Sequence, residues 1–439
     1  MAANNSLQFI EAYLSQAALP LLVNMLTICR TFDHKYDNWD TVEKYGTRGA
    51  TYKFKKPTRI STSPSLSFDA VNTGEFAEEF MTISADQQSL ANYAVTDQQL
   101  ATFNNEDLLR TNGDASIESI ATDIDTFCGT LAAFGGYRFV GAPIVQPGQM
   151  QSVGEVTEAM ALVRSFGGNQ LAYYGIPNIE YAAIGQTALQ QFVPERNEEL
   201  SFAGDLGHLG GVSRTRFYQS TLFPIHLSGT AANNTVNTAG GYEITSVTPA
   251  TVPSTSNTSV IVLTGGTTGE TILVNDVFDI GAINLTNPVN FLTFVGYAPS
   301  RVQVQGKVLV GDTFDGGGNA TITVQPAYIF DGTGVNPARN LSRAIITGAS
   351  GDLLRLATSH VAGEIHMKNY IKFANPMLPT KSPYDTATEG DPETQTSLRV
   401  YHGALMGNDI TQFVHDTIFG GGAAEEGVVR VLYPLTNST

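Results

Sequence analysis

NGDASIESIATDIDTFCGTLAAFGG, running from Asn112 to Gly136, decides the fold. Its apolar residues Ile117, Ile120, Ile124, Phe127, Leu131 and Phe134 recur at intervals of three, four, three, four and three. With about 3.6 residues per turn, that spacing keeps one face apolar for about five turns. Asn112 or Asp114 can cap the start, and Gly135-Gly136 is a stop signal. The stretch reads as one long helix whose six seam residues are core.

Downstream, Tyr137 to Val140 reads as a short strand, followed by a Pro/Gly/Gln-rich hinge through Ser152. An amphipathic helix is expected over Val156 to Phe166 and another over Ile179 to Phe192. Strands are expected at Leu171 to Tyr174 and Arg216 to Leu227. Helices and strands interleave without a regular βαβ repeat, which favours an α+β class.

Composition changes after Leu227. No lysine or arginine lies between Arg216 and Arg301, and Thr230 to Thr271 holds twelve threonines. Short β-type runs recur at Thr258 to Leu263, Val277 to Ile280, Phe291 to Val295, Arg301 to Val310 and Ala320 to Val324, separated by Gly, Asn or Pro. They read as a small all-β barrel inserted into a host domain. The host then resumes with a helix over Leu341 to Leu356, a strand at Tyr370 to Phe373 and the strand LRVYHGAL, Leu398 to Leu405. A helical turn at Asp409 to Val414 and a last strand, Gly427 to Pro434, complete it.

Upstream of the long helix, Thr47 to Phe68 is β-type and holds five of the 24 basic residues: Arg48, Lys53, Lys55, Lys56 and Arg59. Ile60 to Leu109 has none, but carries eight acids: Asp69, Glu75, Glu78, Glu79, Asp86, Asp97, Glu106 and Asp107. The two segments can pair within one molecule, or the basic loop can reach a neighbouring copy, where complementary charge sets orientation. At the amino end the apolar run Ala17 to Cys29 is too short for a bilayer, which needs about twenty residues. No basic residue precedes Arg30, so no secretion signal is expected, and seven Asn-x-Ser/Thr sequons carry no weight without export. Leu7 to Ile28 reads as an apolar helical arm, kinked or restarted at Pro20. It either needs a partner surface or is an ordinary first core helix.

The 439 residues are 42% hydrophobic and 15% charged, with 24 Lys+Arg against 41 Asp+Glu and a net charge of −17. That balance excludes a tight nucleic-acid binder, which works by neutralising phosphates. The two cysteines, Cys29 and Cys128, read as buried small hydrophobes rather than staples. No motif carries catalysis, a metal or a cofactor. His360, Glu364 and His366 miss the zincin spacing, and on a helix the two histidines would face opposite ways. Gly348-Ala-Ser350-Gly351-Asp352 fails as a nucleophile elbow, and Gly204 to Gly210 fails as a dinucleotide loop. Glu198-Glu199 and Glu425-Glu426 read as solvated loop charges. The chain is not expected to be an enzyme.

The segments VNDVFDIGAINLTNPVNFLTFVG (Val274 to Gly296), ATYKFKKPTR (Ala50 to Arg59), the seam helix and LRVYHGALMGNDITQF (Leu398 to Phe413) occur in a recognisable order. The chain resembles the major capsid (coat) protein of tailed bacteriophages with the Hong Kong 97-type fold, in the short-tailed-phage family carrying an inserted β-barrel. One departure is Asn275, where a glycine is usual before Asp276. The resemblance implies hexamers and pentamers that close into an icosahedral shell around double-stranded DNA, held as cargo without sequence-specific binding.

It also implies an order of parts. These are an amino-terminal arm (1–40), an extended loop with flanking strands (41–80), a peripheral domain with a spine helix (81–152), the first part of an axial domain (153–227), the inserted barrel (228–336), and the completion of the axial and peripheral domains (337–439). The spine would span Ala115 to Phe134. The extended loop, about Arg48 to Phe68, would lie across a neighbouring subunit. The arm would face a scaffolding protein and, with Glu11 its one acid before Asp33, would do so through apolar contact. A portal protein is a further implied partner; a membrane and a cofactor are not. The place would be the virion, with assembly in the host cytoplasm. Two other readings are the shell of a cellular nanocompartment and a β-rich binding or adhesion protein.

Overall fold

The computed structural model describes residues 13–34, 50–55, 59–60, 76–77, 80–96, 98, 105–141, 159–164, 171–177, 215–248, 257–282, 290–292, 299–330, 340–349, 351–381, 384–391, 395–404 and 410–435. These residues are mostly strands, with few helices. The chain divides into two units. One holds Met1–Lys55, Phe80–Leu131 and Ile371–Ala423; the other holds Lys56–Glu79, Ala132–Tyr370 and Ala424–Thr439.

The long helix spans Asn105–Gly135, 31 residues, and starts at least about two turns before the expected cap. Glu106 and Asp107 fall in its first turn. Gly113, between the two candidate caps Asn112 and Asp114, lies inside the helix. A Cβ there would sit 2.1 Å from the Tyr13 hydroxyl, so the glycine makes room for that side chain. Ile117, Ile120 and Ile124 are fully buried, as the seam spacing predicts. The second half of the seam is different. Phe127, Leu131 and Phe134 are only half-buried, while the small residues Ala121, Cys128, Ala132 and Ala133 take the buried stripe.

In the first unit the strands Ile371–Ala374, Ile410–Ala423, Thr396–Ala404 and Asp385–Asp391 form a sheet in that order, and Gln87–Thr96 pairs along Ile410–Phe419. The helical turn expected at Asp409 to Val414 is therefore wrong: from Ile410 onward it is the start of a 14-residue strand. Ile, Thr, Val and Phe dominate it, and strands on both sides satisfy its backbone. A hairpin-like pair, Ala50–Lys55 antiparallel to Phe80–Ala85, buries Tyr52 and Phe54 against Ile83, Ala85, Ala374 and Met377. The amino-terminal segment has a π-helical turn, Leu14–Ala18, then the helix Leu19–Met25. Pro20 comes just after the π-helical turn, and because Ala18 before it is itself helical the run continues through the proline rather than restarting at it. Leu14, Ala18, Leu19, Leu22, Leu26, Ile28 and Phe32 are buried, so residues 13–34 bury their apolar side within the chain.

In the second unit, Arg138–Val140, Val428–Pro434, His360–Met367, Ala172–Pro177 and Thr215–Ser220 form a mixed sheet, with Ile225–His226 also pairing with His360–Met367. Residues 159–164 are helical, within the helix expected from Val156; the helix expected at Ile179 to Phe192 lies outside the described residues. The second assembly is a barrel. Val277–Ala282, Asp352–Leu356, Tyr242–Thr248, Ser259–Thr264, Asn319–Gln325 and Pro299–Val310 pair in that order, and Pro299–Val310 pairs back with Val277–Ala282. All six pairings are antiparallel, and closure leaves no free edge. Tyr242, Ile244, Ile261, Leu263, Phe278, Ile280, Val304, Ile322, Val324, Leu354 and Leu356 fill its interior.

The helix expected over Leu341 to Leu356 is absent. Asp352–Leu356 is a barrel strand with alternating burial, the period of two that a strand requires. Before it, Arg343 holds Asp352 through two 2.7 Å bonds, and Gly348 has a φ of +98°, which no helix tolerates.

Candidate functional site

The cations expected to reach a neighbour are partly placed. Lys53 and Lys55 occupy Ala50–Lys55, opposite Thr82 and Phe80, at positions alternating with the buried Tyr52 and Phe54. Arg59 opens the short strand Arg59–Ile60, opposite Ala77. Arg48 and Lys56 lie outside the described residues, as do Gly204 to Gly210 and Glu198-Glu199. Seam residue Phe127 meets Phe419 edge-on at 5.3 Å, and Leu131 lies over Gly421.

His360, Glu364 and His366 sit on a strand, His360–Met367, not on a helix. With a side-chain period of two, all three share one face, so the expectation that the histidines oppose each other is corrected. All three are fully buried. His366 Nδ1 donates to Glu364 at 2.8 Å and Tyr218 donates its hydroxyl to the same carboxylate, which engages the oxygens a metal would need. Among the described residues no group of three His, Cys, Asp or Glu could hold a metal ion. Glu425-Glu426 is also corrected: Glu426 is buried, and Glu425 accepts from Gln325 Nε2 at 2.7 Å.

A buried polar arrangement roots the barrel in its host sheet, and the sequence reading did not pick it out. The fully buried Asp276 carboxylate accepts His226 Nε2 at 2.8 Å, the Gly229 N–H at 3.2 Å and the Leu273 N–H at 2.7 Å. Asn275 just before it has a φ of +68°, the left-handed region that glycine prefers and asparagine best tolerates. A glycine would adopt that conformation without strain, and a β-branched residue would not. The Asn275 carbonyl accepts Arg430 Nη1 at 2.8 Å.

Arg430 and Lys307 also close the carboxyl end of the long helix. Arg430 Nε donates to the Ala133 carbonyl at 2.9 Å, and Lys307 Nζ to the Phe134 carbonyl at 2.7 Å. These are carbonyls that a helix leaves unbonded at its negative end, where cations belong. The Arg430 guanidinium also lies 4.7 Å from the centre of the Phe134 ring. Burial, with the Arg430 charge beside it, brings Lys307 down to about 8. Burial lowers Arg430 to about 9. The available signal was a lone cation in each of two apolar strands, QGKVLVG and VVRVLYP, since unpaired charge is rarely buried. The arrangement is an anchor that ties helix, barrel and sheet together.

No protein-family model matches the chain, and no curated protein matches it. Among solved structures it is similar to one from Mycobacterium phage Che8, at 8% identity over 92% of this chain and 90% of that one, with a TM-score of 0.44. It is similar to the capsid of Ralstonia phage GP4 at 7% identity, over 94% and 90%, TM-score 0.41. The capsid of Myoviridae phage XM1 is similar at 7% identity, over 92% and 90%, TM-score 0.37. At identities and TM-scores this low, the likenesses assign no function to this chain. Among the described residues, no helix is long and apolar enough to cross a membrane.

Proposed function

We propose that the chain is the major capsid protein of a tailed bacteriophage, whose copies form hexamers and pentamers that close into an icosahedral shell around double-stranded DNA. The observation that carries the reading is the closed six-stranded barrel in mid-chain. Strands before it, Ala172–Pro177 and Thr215–Ser220, and strands after it, His360–Met367 and Val428–Pro434, pair in one host sheet. That is the pattern of an insertion, and the one the sequence resemblance implies. In this reading the barrel takes in Asp352–Leu356 beyond the 228–336 boundary.

Asn105–Gly135 serves as the spine of an α+β, Hong Kong 97-type fold. The loop from Arg48 to Phe68 lies across a neighbouring subunit, and the arm meets a scaffolding protein. A portal protein completes the shell in the virion after assembly in the host cytoplasm. The net charge of −17 suits a wall that contains DNA without gripping it. The protein acts as a structural subunit rather than an enzyme. Heterologous contacts that close by rotation give rings, and varying them slightly gives a closed shell.

Sedimentation velocity of the full chain tests the proposal, alone and with the scaffolding protein of the same genome. Boundaries far faster than a single chain are expected in at least one condition. A slow single-chain boundary in both contradicts it.

A further inference from the structure

The two cysteines meet in the folded chain. Asp125 and Cys128 are three residues apart on the long helix and so share a face. The Asp125 carboxylate accepts the backbone N–H groups of Thr27 at 2.7 Å, Ile28 at 3.3 Å and Cys29 at 3.0 Å. That grip fixes 27–29 on the helix and brings the Cys29 backbone to the face that carries Cys128. Both side chains are fully buried and neither is in a disulfide. His34 closes the site: its Nε2 donates to the Cys29 carbonyl at 2.8 Å and lies 3.8 Å from the Cys29 sulfur.

We propose that Cys29 and Cys128 are a modification site, a thiol pair that a low-molecular-weight disulfide converts to an intramolecular disulfide tying the amino-terminal segment to the long helix. The Cys29 thiolate attacks one sulfur of the small disulfide, forming a mixed disulfide and expelling one thiolate. Cys128 then gives up its proton and attacks the Cys29 sulfur, forming the Cys29–Cys128 bond and expelling the second thiolate. Two protein thiols lose two electrons in total, and one small disulfide becomes two thiols.

The surroundings set the order of the steps. Burial alone pushes the Cys29 thiol up, but the hydrogen bond with Cys128 and the neighbouring His34 bring it down to about 7. Burial and the same hydrogen bond hold Cys128 well above the usual thiol range. An attacking thiol is most effective when it ionises near ambient pH, which makes Cys29 the attacker and Cys128 the resolver. Because both are buried, the reaction waits on local opening of the segment around 27–34, and the bond then restrains that opening. The inference rests on the fold of the single chain and does not depend on the capsid reading.

The test is incubation of the reduced full chain with oxidised glutathione, followed by thiol titration in denaturant, intact mass and non-reducing peptide mapping. Both thiols should disappear together, with a mass loss of about 2 Da and one linked pair of peptides holding Cys29 and Cys128. In Cys128→Ser the remaining Cys29 thiol should end as a glutathione adduct, whereas in Cys29→Ser the Cys128 thiol should react far more slowly. The wild-type peptide map decides the matter even if a variant fails to fold. Two glutathione adducts on one chain, disulfide-linked dimers, or thiols that stay free would each overturn the proposal.

Discussion

At the scale of the residue, backbone conformation and burial decide most of what can be tested. Asn275 at a φ of +68° defines a sharp prediction. Asn275→Gly should leave stability nearly unchanged, whereas Asn275→Val should cost about 1–2 kcal/mol, because a β-branched residue pays for the left-handed region. Urea unfolding of both variants checks it; equal stabilities would contradict it. His415 is fully buried, stacked on Tyr93 at 5.9 Å and edge-on to Tyr13 at 6.2 Å, and burial lowers it from 6.5 to about 4. In the unfolded chain it takes up a proton as pH falls through 6.5; in the folded chain it resists until about 4. Its stabilising effect is therefore complete above pH 6.5 and lost between 6.5 and 4. Between pH 7 and pH 5, His415→Phe should remove about 2 kcal/mol of the wild-type loss in unfolding free energy. An unchanged difference would show that the ring is already solvated. His360, lowered to about 3 by burial and the neighbouring Arg430, keeps a residual slope in the variant.

At the scale of the element, periodicity was a good guide wherever one face alone is buried. Ile117, Ile120 and Ile124 were legible as core because their three-and-four spacing has no strand equivalent. Phe127 and Leu131 were over-read: a long side chain beside a buried stripe of Cys128 and Ala132 covers the core from the flank without being enclosed. Ile124→Ala should therefore cost about 2–5 kcal/mol, and Phe127→Ala less, in denaturant titrations. The reverse order would place the core on the other side of the helix. The stretches 341–356 and 409–414 were misread because a short apolar run does not reveal its period, and what makes each a strand is a partner distant in sequence. Asp352–Leu356 finds Val277–Ala282 and Tyr242–Thr248; Ile410–Ala423 finds Gln87–Thr96. Long-range pairing also explains why Asp276, Lys307 and Arg430 escaped notice. Each is a single polar residue whose partners lie on segments that only the fold brings together.

At the scale of the whole molecule, charge is the most telling quantity. Five cations sit between Arg48 and Arg59, while Phe217 to Ser300 holds none, so the average of −17 conceals strong local contrast. Reversing Lys53, Lys55 and Lys56 to Glu should leave the secondary-structure signal of the isolated chain unchanged while impairing assembly, most strongly at low salt, where such attractions are least screened. Assembly that proceeds unchanged in low salt would remove the inter-subunit role of that loop. A long helix, a mixed sheet and a mid-chain barrel occur among the described residues, and no single string of the sequence carries them. Electron microscopy of the expressed full chain, alone and with the scaffolding protein of its own genome, tests the central claim most directly. Closed shells, sheets or capsomer rings are the predicted result; only dispersed single chains under both conditions would contradict it.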